Sequence, residues 1–99
     1  MAYNVYNKSE NNRHRRMTMT KQIITALQQD AQALRHANNQ RVAIEIDYDP
    51  ATASPEKTAR MKAIEDSVEE AYRAYTTSYN RAIRSGIDSF RAACIAACA

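Results

Sequence analysis

Ninety-nine residues with one Gly, two Pro and no Trp make a single small domain, and so little Gly and Pro disfavours a loop-rich, sandwich or barrel architecture. The net charge of +3 is uneven: residues 1–41 hold seven basic and two acidic side chains, residues 42–99 seven and nine. Only the N-terminal part therefore suits an anionic partner.

Two cysteines four residues apart do not form a secreted disulfide framework. The polar start MAYNVYNKSE is no signal peptide, and no apolar run approaches the ~20 residues of a membrane span. The expected setting is cytoplasmic and reducing, with no membrane partner.

Residues 1–17 read as a basic polar arm. Arg13, Arg15 and Arg16 lie close to Tyr3 and Tyr6, a composition suited to phosphates and stacked bases. Helix 1 is expected over residues 18–39. Ile23, Ile24, Leu27, Ala31, Leu34 and Ala37 recur every three or four residues, and Asn38-Asn39 is a suitable stop.

Val42, Ile44, Ile46 and Tyr48 alternate with Ala43, Glu45 and Asp47. This period of two predicts a strand over 41–48, with continuation of helix 1 as the competing reading. Such a strand needs a partner, either residues 2–6 or a sheet edge from a second copy or another protein. On it, Glu45, Asp47 and Asp49 would share one face, the arrangement a metal-dependent nuclease would need. A solvated outer face accounts for the same acids more simply.

A loop over 49–54 leads into Ser54-Pro55-Glu56, a strong helix start: Ser caps, Pro is pre-set for the first turn and Glu suits the positive helix end. A long helix follows over 55–85. Its stripe runs through Met61, Ile64, Val68, Ala71, Tyr72, Tyr75, Tyr79, Ala82 and Ile83. Tyr72, Tyr75 and Tyr79, with Arg73, Arg81 and Arg84 nearby, are the candidate partner-binding or base-stacking face.

Gly86 divides this helix from a segment over 86–98. The stripe changes direction there, which predicts a kink or a helical hairpin. Ser85-x-x-Asp88 has the form of a capping box, and Asp88 could pair with Arg84 or Arg91. Cys94 and Cys98 are expected to serve close helix packing.

The expected fold is mainly α (α+β), with helix 1 against a kinked C-terminal helix and one short strand. No catalytic motif, cofactor or metal site is expected. The functional expectation is a small non-enzymatic interaction protein, a modulator, inhibitor or adaptor docking on a nucleic-acid-handling complex. That is the scale of phage- or plasmid-type products. The alternatives are direct nucleic-acid binding and, more remotely, the nuclease. A homodimer through the C-terminal helix or the strand edge is a further expectation.

Overall fold

The computed structural model describes the backbone of residues 2–99 and the side chains from Thr18 onward. The basic side chains of the expected arm, Arg13, Arg15 and Arg16 included, lie outside the described residues.

Three helices follow one another: α1 (Ala2–Glu45), α2 (Pro55–Arg84) and α3 (Ser89–Ala97). α1 and α2 form an antiparallel hairpin, and the molecule measures 77 × 24 × 17 Å. Its radius of gyration of 20.4 Å compares with ~13 Å for a compact chain of this length. At 1.5 Å per residue, a 44-residue helix is itself ~66 Å long. No helix among the described residues is long and apolar enough to cross a membrane.

The hairpin is held by a seam of heptad spacing. On α1, the inward positions Ile23, Leu27, Asp30, Leu34, Ala37, Arg41 and Ile44 advance by alternating steps of four and three, and all are buried or half-buried. On α2, Met61, Ile64, Val68, Ala71, Tyr75, Ser78 and Ala82 do the same. This spacing keeps one stripe facing the partner helix. Two polar members, Asp30 and Ser78, meet across the seam, where the Ser78 hydroxyl donates to the Asp30 carboxylate. A polar pair satisfied only in one alignment fixes the register of the two helices.

The strand expected over 41–48 does not form. Residues 42–45 complete α1, and residues 46–48 turn away with Asp47 N–H donating to Ile44 and Tyr48 N–H to Glu45 at 3.2 and 3.3 Å. No strand occurs among the described residues to pair with it, whereas a helix satisfies its backbone internally. Ile44 and Tyr48, one turn apart, are half-buried, while Val42 and Ile46 are 52% and 78% exposed. Helical and alternating patterns coincide over so short a run.

Helix 1 also departs from its expected bounds of 18–39. α1 begins at Ala2, in a stretch with neither Gly nor Pro to interrupt it. It passes through Asn38-Asn39, since Asn stops a helix only by adopting positive φ and no non-Gly residue among those described does so.

The connection to α2 is locally wired. The Asp49 carboxylate accepts the Ala51 N–H at 3.0 Å, and the Asp49 carbonyl accepts that of Ala53 at 2.8 Å. Ser54 then caps α2 by accepting the Lys57 N–H at 3.2 Å, with Pro55 opening the helix.

At the other end, Gly86 breaks the chain. Its φ is +97°. The Ile87 N–H donates to Ala82 and the Gly86 N–H to Ile83, both at 3.1 Å. This crossed pair is a Schellman motif, and its two apolar members, Ala82 and Ile87, are both buried. The expected capping box is absent, because Ser85 ends α2 and its hydroxyl donates back to Ala82. Asp88 is itself the N-cap of α3 and accepts the Phe90 N–H at 2.7 Å, so its carboxylate serves the backbone rather than Arg84 or Arg91. The ion pairs among the described residues are Arg41–Glu45 and Glu69–Arg73.

The turn returns α3 onto the hairpin, antiparallel to α2. Ala92 and Ala96 face inward and join Ile23, Leu27, Ala31, Ala82 and Ile87 in the main buried cluster. Arg35 of α1 fastens the far end of α3 by donating to the carbonyls of Ala96 and Ala97 at 3.2 Å each and to that of Ala99. The Ala96 carbonyl also accepts the Ala99 N–H at 3.4 Å, and a cation suits the negative end of the helix dipole.

Candidate docking flank

α2 and α3 together present one flank of the molecule. Tyr79 and Tyr75 lie along its floor, half-buried against the main cluster. Their ring centroids are 6.0 Å apart at 43°, within the range of favourable aromatic contacts. The Tyr79 hydroxyl reaches the Ser89 carbonyl at 3.5 Å, so Tyr79 lies level with the start of α3. Tyr72 is 58% exposed and sits at the rim.

An open groove of 430 Å³ adjoins Tyr75. Ala31, Leu34 and Asn38 of α1, Tyr75 of α2, and Ala93 and Ala97 of α3 contribute to its walls. Its lining is mainly apolar, with Arg35, Asn38 and Asn39 as the polar members.

The outer face of α3 is unusual for a surface helix. Phe90 is 77% exposed, and Ala93, Cys94, Ala97 and Cys98 are exposed with it. Arg91 is the one charged residue between Ser89 and Ala97. A helix apolar on every side is normally covered on every side. The cysteines correct the expected packing role: inward contact is made by Ala92 and Ala96, while Cys94 and Cys98 point outward as free thiols. Small alanines hold the closest approach to α1 and α2, which displaces the larger sulfurs to the opposite face.

The structure therefore brings together only part of the predicted site. Tyr72, Tyr75 and Tyr79 share the flank, with Tyr72 alone substantially open. Arg73 instead pairs with Glu69 at 2.6 Å, both exposed, an interaction worth about 0.3–0.5 kcal/mol. Arg81 and Arg84 are exposed in the last turn of α2, where they complement the helix dipole. Glu45, Asp47 and Asp49 do not line up: Glu45 closes α1 beside Arg41, and Asp49 organises the loop. No group of three or more metal-capable side chains occurs among the described residues.

Sequence reading missed Phe90 and Arg35. The signal for Phe90 was the composition of Ser89–Ala97, which offers α3 almost no polar face. Arg35 had no local signal, since its partners lie more than 60 residues away.

No protein-family model matches the chain, and no curated protein or solved structure matches it significantly.

Proposed function

We propose that the chain is a non-enzymatic interaction protein, an adaptor, modulator or inhibitor that docks through the α2–α3 flank within a nucleic-acid-handling complex. The observation that supports this is the outward exposure of Phe90 and Tyr72 on a molecule that also carries an open, mainly apolar groove walled by α1, α3 and Tyr75. Exposed aromatics and concave apolar surfaces are the usual anchors of protein interfaces. A small helical inhibitor of phage or plasmid type would have this scale.

The experiment is affinity capture from the native host, with and without nuclease, comparing the unaltered chain with Tyr72→Glu. A defined partner that survives nuclease and is lost with Tyr72→Glu supports the reading. An identical set of captured proteins from both chains removes it.

Direct nucleic-acid binding is the second reading, favoured by the charge near the Gly86 turn. Over residues 18–27 and 76–91, Lys21, Arg81, Arg84 and Arg91 face one acid, Asp88, a net +3. It predicts affinity that falls steeply with salt and falls again in Arg81→Gln/Arg84→Gln. Salt-independent retention would exclude it.

A further inference from the structure

We infer that the part of α1 lying beyond the Gly86 turn is a helix for the major groove of duplex DNA, with the basic residues of the turn serving the flanking phosphates. The inference deepens the direct nucleic-acid reading above and rests on it.

The first argument is reach. Asp30 meets Ser78 across the antiparallel seam, so Arg84, the last residue of α2, lies level with Ile24. α3 runs back from the turn and reaches α1 at Arg35. Neither α2 nor α3 therefore extends alongside residues 2–19 of α1, a length of ~27 Å at 1.5 Å per residue. The 77 Å extent of the molecule agrees, being the ~66 Å of α1 plus the first turns of α2 beyond Glu45. The seam shows the same limit. Its positions from Ile23 onward are buried or half-buried, whereas Thr20, the next position back, is exposed.

The second argument is what the seam becomes. Continued by the same steps of three and four, its positions are Thr20, Arg16, Arg13, Ser9 and Tyr6. The apolar stripe ends where α2 ends, and the register passes to basic and polar residues. Such positions do not close against another helix. Arg and Asn are the residues that read guanine and adenine edges, in a groove about 12 Å wide that admits one α-helix. Asn4, Asn7, Asn11 and Asn12 stand in the same segment.

The third argument is charge, which the topology gathers from distant parts of the chain. Residues 1–27 and 76–91 carry eight basic and two acidic side chains, a net +6. The remainder carries six and nine, a net −3. Lys21, Arg81, Arg84 and Arg91 are all exposed at the root of the projecting segment, and the acid among them, Asp88, is committed to capping α3. The other acids are concentrated toward the 46–54 loop, where the length of the hairpin holds them away from the phosphates.

The test is fluorescence anisotropy of the full chain across a salt series, with a labelled duplex DNA of about 20 bp and a duplex RNA of the same sequence. The expected affinity for DNA falls steeply with salt and exceeds that for RNA at least about fivefold, because the A-form major groove is too deep and narrow for a helix. Arg13→Gln/Arg16→Gln is expected to weaken DNA binding at least about tenfold and to make the salt slope shallower by about two. Lys57→Gln/Arg60→Gln, at the far end of the hairpin, should leave both unchanged. Helical circular dichroism should be the same in every variant, since Gln is a good helix former and no buried residue is altered. Equal affinity for the two duplexes, or an equal loss in Lys57→Gln/Arg60→Gln, overturns the inference. So does binding that depends on Arg81→Gln/Arg84→Gln but is indifferent to Arg13→Gln/Arg16→Gln, which leaves direct nucleic-acid binding standing through the turn alone. Failure to bind either duplex at low salt overturns both.

Discussion

The two ends of the hairpin use the same heptad spacing to different effect. Near the Gly86 turn, three helices meet, and Ile23, Leu27, Ala31, Ala82 and Ile87 are all buried. Near the 46–54 loop only two helices meet, and of the seam residues there only Ala37 and Met61 are buried; Ile44, Ile64 and Val68 remain half-exposed. Two helices can align a stripe, but they cannot keep water from its sides. The third helix converts an aligned seam into a closed core, although it contributes little more than alanines to it. Stability in this chain is therefore concentrated at one end.

Four substitutions would break or sharpen that contrast. Leu27→Ala removes the largest fully buried side chain among the described residues and is expected to cost about 3–5 kcal/mol in denaturant unfolding. Val68→Ala at the open end should cost about 1 kcal/mol, and equal losses would refute the asymmetry. Gly86→Ala meets no steric obstacle within 4 Å, so its cost is that of positive φ, about 1–2 kcal/mol. Its effect on hydrogen exchange should be strongest in α3. Arg35→Ala removes the side-chain donor shared by the carbonyls at the end of α3 and should cost about 1 kcal/mol. Faster exchange in α3 with α2 unchanged is the signature to look for.

The smallest effect has the opposite sign. Arg41 occupies a seam position, its Nε is buried without a hydrogen bond, and its ion pair with Glu45 spans 3.5 Å. Arg41→Leu should raise stability by about 0.5–1 kcal/mol at the open end. A loss on thermal melting would show that the ion pair outweighs the desolvation of Arg41.

Much of this architecture is legible in the chain. Ser54-Pro55-Glu56 starts α2 because capping is a local interaction, and Gly86 marks the break because only glycine tolerates its φ. The residues around 42–48 misled because Ile44 and Tyr48 satisfy both a period of two and a helical step of four. The decision between them belongs to the absent strand partner, which no local pattern encodes. Asp30 and Ser78 were invisible for a related reason: each reads as polar surface until the other is placed opposite. The docking flank was half legible. The tyrosines lie at helical spacing, but which one stays open depends on where α3 returns.

That return has a consequence for synthesis. A chain made from its N-terminus produces α1 long before anything exists to cover it. The nearest contacts, across the 46–54 loop, are local and close quickly. The dense cluster around Leu27 waits longest, because Ala92 and Ala96 must first emerge beyond Gly86. The most stable part of the finished molecule is thus the last to be assembled, and until then its apolar surface is open to chaperones and to neighbouring nascent chains.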